Sequence, residues 1–311
     1  MAGALLFSSP EDDPLAWSLA LLALMPELEI RVSPDLGDPA EIEAALVWKA
    51  PAGELSRLSR LRLVISLAAG VDRLLEERAL SPSIPIVRLG EAGMTETMNL
   101  YVLHAVLRHH SEIPAFERAT RERRWDYRFP RRARESRVGV MGLGLLGGGA
   151  ARCLAEQGFD VAGWSRSPKR IPGVSSFTGR DSLASFLART DILVNLLPLT
   201  AATRGLLDRD LLYLLPRGAR LVSCGRGETV VEADLLRALE EGQIAGATLD
   251  VFAEEPLPAE HPFWAMEGVL ITPHCASAAI PEIAAKSVVE NIRRLRAGKP
   301  LLHRVDRRRG Y

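Results

Sequence analysis

The chain has little cysteine: three residues in 311, Cys153, Cys224 and Cys275, far apart and without metal spacing. That excludes a disulfide framework and a zinc site, and it fits a reducing compartment. Net charge is also missing, since 39 basic residues balance 39 acidic ones. A neutral total gives no electrostatic ground for a nucleic-acid or anionic-membrane partner. There is no long hydrophobic run either; the longest, Leu19 to Met25, is far too short to span a bilayer. The amino terminus has no basic region, and Glu11, Asp12 and Asp13 interrupt it early, which argues against a secretory signal. Internal repeats and low-complexity tracts are absent. The expectation is a soluble, cytoplasmic protein with no metal, no nucleic acid and no membrane partner.

What remains is a chain that is 47% hydrophobic and long enough for two packed cores. Short apolar runs alternate with amphipathic stretches. The first series has strands at 4–8, 44–48, 63–67 and 84–88, with helical patterns from Leu15 to Met25 and from Val71 to Ala79. That rhythm implies a parallel sheet with helices on its faces. A helical period follows near Thr95, with Met98, Tyr101, Val102, Ala105 and Val106 on one face. Then comes "RERRWDYRFPRRARESR" (121–137), eight arginines against three acids, without periodicity. It reads as an exposed arm, either solvated or in contact with a second copy or a phosphate. The alternation resumes with strands at 137–141, 159–164, 191–196, 219–224, 244–250 and 268–272. Helices are expected at 145–157, 181–189, 208–214, 231–241 and 281–297.

"RVGVMGLGLLGGGAARCLAEQG" joins a strand to a helix. Gly142, Gly144 and Gly147 have G-x-G-x-x-G spacing, which permits a tight turn, close backbone approach to a pyrophosphate and close helix packing. About twenty residues on, an NAD enzyme usually carries an acid for the ribose diol. Here the strand "VAGWS" ends at Ser165 and is followed by Arg166, Ser167, Lys169 and Arg170. A hydroxyl and a guanidinium suit a 2′-phosphate, so NADP(H) is the preferred cofactor, with NAD(H) possible.

Three later segments each place a chemical group at a strand end, where ligands of open α/β sheets bind. In "SCGRGETV", Arg226 lies between Gly225 and Gly227, glycines that would let the guanidinium turn toward a carboxylate or a polarised carbonyl. A salt-bridged loop arginine is the other reading. In "LDVFAEEPLP", Asp250 ends the strand and Glu255 precedes Pro256. In "ITPHCASA", His274 follows Pro273. A lone strand-end histidine can be purely structural. One paired with a glutamate can donate a proton near neutral pH.

Arg226, Glu255 and His274, in that order and inside those segments, resemble the D-isomer-specific 2-hydroxyacid dehydrogenases. The resemblance covers almost the whole chain. "ALVWKAP", "GWSRSPKRIPGV" and "NLLP" are closest to the glyoxylate/hydroxypyruvate reductase A branch, which prefers NADPH. It implies two Rossmann-like or flavodoxin-like α/β domains with parallel sheets and an active-site cleft between them. A discontinuous substrate domain (1–96 and 281–311) would surround a dinucleotide-binding domain (97–280). Arg226 would hold the substrate carboxylate and carbonyl. His274 would donate the proton as hydride leaves the nicotinamide, and Glu255 would orient His274. Substrate contacts would come from Trp48 and from the backbone of Ala69, Gly70 and Val71 in "SLAAGVDRLL". Cofactor contacts would come from Gly142, Gly144, Leu145, Leu146, Gly147, Ser165, Arg166, Ser167, Leu197, Pro198, Cys224 and Asp250. The implied activity is reduction of a small 2-oxo acid, glyoxylate to glycolate or hydroxypyruvate to D-glycerate, by a homodimer. Two alternatives stay open: a D-2-hydroxyacid dehydrogenase for bulkier substrates, and a nucleotide-sensing corepressor-like protein of the same fold. Two departures bear on substrate range. "MTETMNLYVL" replaces an acid–histidine pair, and "SCGRG" replaces the commoner alanine-containing version.

Overall fold

A computed structural model describes residues 3–77, 79–90 and 93–308. The chain divides into two compact units, Met1–Met94 with Ala278–Tyr311, and Thr95–Ser277.

The first unit opens with β1 (Ala4–Ser8), whose five residues are all buried. A continuously apolar strand of this kind is covered on both faces, as parallel central strands are. α1 (Pro14–Leu24) starts where the Asp13 side chain accepts a bond from the Leu15 amide, with Pro14 in the first turn. Cap and proline together fix that start. β2 (Ile30–Val32), β3 (Ile42–Val47), β4 (Leu63–Ser66), α2 (Asp72–Glu76) and β5 (Ile86–Arg88) follow. The sheet order is β2-β1-β3-β4-β5, and every pairing is parallel.

The second unit begins with α3 (Met94–His110) and α4 (Ile113–Arg121). The segment from 122 to 132 has no regular structure and exposes Trp125, Tyr127 and Phe129. Next come β6 (Arg137–Met141), α5 (Leu145–Glu156), β7 (Asp160–Ser165), β8 (Val174–Thr178), α6 (Leu183–Ala188) and β9 (Ile192–Asn195). α7 (Arg209–Leu212), β10 (Ala219–Ser223), α8 (Glu232–Glu240), β11 (Ile244–Leu249) and β12 (Val269–Ile271) complete it. Its sheet runs β12-β11-β10-β9-β6-β7-β8, again all parallel. Alternate strand residues build separate cores on the two faces. Met141, Leu193 and Leu221 join Phe186 and Phe263 in one, and Val140, Val194 and Val222 join Ala150 and Leu154 in the other. That is the period of two expected of a pleated strand. Each fully buried large side chain in these cores contributes about 1.5–3 kcal/mol by leaving water.

α9 (Pro281–Arg296) returns to the first unit and packs on α1. No described helix is long and apolar enough to cross a membrane. Among the described residues no cluster of histidine, cysteine and acidic groups could hold a metal ion.

Candidate active site

Strand order in the second unit reverses between β6 and β9, the place where open α/β sheets hold ligands. The loops leaving both strands are built on missing side chains. Gly142 has φ of +96°, and a Cβ there would lie 2.7 Å from the Leu196 carbonyl oxygen. A Cβ on Gly147 would lie 1.8 Å from the Gly142 carbonyl, so α5 is laid directly on the strand exit. Gly144 is different: a Cβ would meet nothing within 4 Å. The fingerprint thus spends two glycines on packing and leaves open space beside the third. That space lies at the start of α5, where Leu145 is exposed and the first-turn amides of Leu145 and Leu146 have no partner within the helix. These features suit a pyrophosphate.

At the end of β7, Ser165 is 8% exposed and its hydroxyl donates to the Ser167 carbonyl at 2.8 Å. Serine here forms the turn. Arg166 and Ser167 beyond it are exposed.

Leu197 and Pro198 follow β9 and are held by Asn195, which is fully buried. The Asn195 amide donates to the hydroxyls of Ser223 (3.2 Å) and Thr229 (2.8 Å), and its carbonyl accepts from the Leu197 amide at 3.3 Å. Thr229 donates in turn to the Arg226 carbonyl at 2.6 Å. One asparagine therefore ties the 196–198 loop to the loop of Arg226. Cys224 enters the same region with its thiol buried, and burial pushes that thiol well above its ordinary pKa.

The glycines around Arg226 act otherwise than the sequence suggested. Arg226 itself is extended (φ −137°, ψ 138°), and neither flanking glycine has a positive φ. Their role is space. A Cβ on Gly225 would lie 2.5 Å from the Leu197 carbonyl, and one on Gly227 would lie 1.9 Å from the Phe252 carbonyl carbon. The arginine loop is pressed between the loop after β9 and the turn leading to Glu255.

Glu255 and His274 meet. The imidazole Nδ1 lies 2.9 and 3.1 Å from the two carboxylate oxygens, and both side chains are largely shielded, at 20% and 11% exposure for His274 and Glu255. His274 has φ of +55°, a conformation costing about 1–2 kcal/mol for a residue with a Cβ. Asp250, 1% exposed at the end of β11, holds this turn. Its backbone carbonyl accepts from the His274 amide at 2.8 Å. Its carboxylate accepts from the amides of Cys275 and Ala276, both at 2.9 Å, and from the Thr272 hydroxyl at 2.6 Å. Burial raises the Asp250 pKa, and these donors hold it down in part.

In the first unit, Trp48 leaves β3 and its indole N–H donates to Glu11 at 3.0 Å. The other Glu11 oxygen pairs with Lys49 at 2.7 Å, and the Lys49 ammonium lies 5.4 Å from the Trp48 ring centre. Trp48, Gly70 and Val71 line a cavity of about 180 Å³ at the ends of β3 and β4. The Ser66 hydroxyl donates to the Ala68 carbonyl at 3.0 Å and accepts from the Ala68 amide at 3.2 Å, shaping the turn that leads into Ala69.

Asn195, Thr229, Thr272, Tyr101 and Glu11 were not assigned to the site by sequence reasoning. Only Asn195 had a signal, a polar residue closing an apolar strand ahead of a loop. The others act through contacts that no local spacing announces.

Residues 103–276 match the family model described as D-isomer specific 2-hydroxyacid dehydrogenase, NAD binding domain. The glyoxylate/hydroxypyruvate reductase A of Yersinia enterocolitica is 39% identical over 312 residues, with 99% of each chain covered. A D-isomer specific 2-hydroxyacid dehydrogenase of Xanthobacter autotrophicus Py2, solved with NADPH and MES, is 52% identical with a TM-score of 0.95 and full coverage of both chains, 100% each. The NADPH-dependent glyoxylate/hydroxypyruvate reductase of Sinorhizobium meliloti, solved with NADP and sulfate, is 36% identical with a TM-score of 0.92, covering 99% of this chain and 100% of that one. The likeness extends well beyond the nucleotide-binding part, and this chain belongs to the D-isomer-specific 2-hydroxyacid dehydrogenase family.

Proposed function

We propose that the protein reduces small 2-oxo acids, glyoxylate and hydroxypyruvate first, with NADPH as the electron donor. The relatives named for this activity support the reading, as does the fit of the glycine loop and Arg166 to a phosphorylated dinucleotide. The observation that carries it is the pairing of His274 with Glu255 at 2.9 Å. Nδ1 is committed to the carboxylate, so Nε2 is the nitrogen that faces the substrate carbonyl. Glu255 fixes the ring and offsets the positive charge of an imidazolium, the form that can donate a proton to a carbonyl oxygen.

Arg226 holds the substrate carboxylate and polarises the carbonyl oxygen as negative charge develops there. The first unit offers the backbone of Ala69, Gly70 and Val71 to a carboxylate, and Trp48 limits the size of the acid it accepts. Asp250 and the 197–198 loop position the nicotinamide, which when bound supplies the hydride. His274 delivers its proton from Nε2 to the carbonyl oxygen, completing the alcohol. In this reading the unit that contains residues 95–277 binds the nucleotide, and the other unit selects the acid.

Replacing His274 by Ala removes the proton donor while leaving the nucleotide loops intact. The expected result is a kcat at least about 100-fold below wild type, with NADPH affinity by fluorescence titration unchanged. A kcat within a few-fold of wild type would assign the proton to another group.

A further inference from the structure

Tyr101 lies on α3, and its partner Thr272 is 171 positions later in the chain. Their hydroxyl oxygens are 2.6 Å apart. Thr272 is also 2.6 Å from Asp250 Oδ1. The direction of this chain of bonds follows from proton counting. Amide donors on both oxygens of Asp250 suit the carboxylate, which can only accept. Thr272 therefore spends its one proton on Asp250, and Tyr101 must donate to Thr272. Burial, with lesser contributions from the nearby Cys224, Asp250 and Cys275, raises the phenol pKa and keeps that proton in place.

The end of this chain of bonds is the turn that carries the imidazole. Asp250 makes three bonds to residues 274–276, two through its carboxylate and one through its backbone carbonyl. The first residue of that turn, His274, has a left-handed backbone. A residue held in so sparsely populated a conformation keeps it only while its surroundings over-determine it. The surroundings here are Asp250, the Thr272 carbonyl 3.1 Å from the His274 amide, and Glu255 on the imidazole; Asp250 is itself fixed from behind by Thr272 and Tyr101.

We infer that Tyr101 is a positioning residue: through Thr272 its hydroxyl locks the Asp250 carboxylate, and that carboxylate holds the His274 turn. The inference deepens the proposed reaction and rests on His274 being its proton donor. No role is assigned to Tyr101 in substrate contact. The groups that face the Asp250 carboxylate are Tyr101 from α3, Cys224 after β10, and Thr272, His274 and Cys275 from the turn itself. Loss of a hydroxyl donor leaves a buried carboxylate less stabilised. It then takes up a proton at higher pH and releases its grip on the turn. A role in packing alone would scale activity equally at every pH.

Three full-length variants test this: Thr272→Val, Tyr101→Phe and Thr272→Ser. Two readouts are taken, kcat against pH with NADPH and glyoxylate, and the rate of Cys275 alkylation followed by peptide mass spectrometry. Cys275 is exposed and its thiol bonds to Asp250 and Thr272 within the turn, so its modification reports that bond network without needing turnover. For Thr272→Val the acid limb of kcat moves up by about one pH unit and kcat falls about tenfold, the scale of one hydrogen bond to a charged group. Tyr101→Phe shifts both in the same direction by less, with kcat down about threefold, since it removes only the second bond of the chain. Thr272→Ser, which keeps the hydroxyl, recovers most of the loss. Cys275 is alkylated faster in Thr272→Val and Tyr101→Phe than in wild type. If Tyr101→Phe matches wild type in both the acid limb and the alkylation rate, the inference is wrong. If wild type itself turns over no 2-oxo acid, the proposed reaction falls, and the alkylation rates still decide whether Tyr101 holds the turn.

Discussion

The two units share one architecture and differ in what they put at the ends of their strands. Both have all-parallel sheets with helices alternating along the chain, and both reverse strand order at a central pair, β1 and β3 in one, β6 and β9 in the other. In the first unit the strand ends carry an indole, a lysine and a turn of small residues: Trp48 and Lys49 after β3, Ala68 to Gly70 after β4. In the second they carry groups that accept, donate or hold charge: Asn195, Arg226, Asp250 and His274. A sheet scaffold decides where a ligand can be met. The last residue or two of each strand decide what is done to it. The second unit also shields those groups more heavily. Asn195 and Asp250 are almost fully buried, whereas Glu11, which holds Trp48, keeps half of its side chain in solvent.

The comparison can be broken at either unit. The larger effect is expected in the second. Ser165→Asp with Arg166→Ala replaces a cation and a turn-forming hydroxyl by a carboxylate at the end of β7. The ratio of NADPH to NADH efficiency should fall by about 100-fold, the loss of a charge-assisted contact with added repulsion. An unchanged ratio in steady-state assays would mean that the 2′-phosphate is read elsewhere. A smaller effect is expected in the first unit. Glu11→Gln weakens an exposed contact that holds the indole, and such pairs contribute little. The KM for glyoxylate should rise by about 2- to 5-fold while the KM for NADPH stays put. A change in the NADPH KM instead would break the division of labour between the units.

Much of this was legible in the sequence because parallel strands buried on both faces are short and continuously apolar. β1, β4, β6, β9 and β10 read directly. The elements that escaped are edge or surface pieces. β8 is "VSSFT", with no residue fully buried, and β2 is three residues long at the other sheet's edge. α4 is the short "IPAFERATR", with one buried residue and a proline at its start. The site shows the same split. Gly142, Gly147, Arg226, Glu255 and His274 sit in local motifs, so their spacing could be read. The left-handed backbone of His274, the clamp from Asp250 and the bond from Tyr101 to Thr272 are long-range facts, created by β11 and β12 lying side by side and by α3 reaching Thr272 through Tyr101. Spacing also misled in one respect. The glycines beside Arg226 look like hinges in the sequence and prove to be clearances for neighbouring backbone.

The central claim is that this family member is a reductase of short 2-oxo acids using NADPH, and turnover tests it most directly. Purified wild-type protein is supplied with NADPH or NADH and with glyoxylate, hydroxypyruvate, pyruvate or a 2-oxo acid bearing a bulky side chain. The account predicts the highest kcat/KM with NADPH and glyoxylate or hydroxypyruvate, at least about tenfold above the bulky acid, the scale set by a pocket that lacks room. Equal or better turnover of the bulky acid, or tight nucleotide binding with no turnover of any acid, would contradict it.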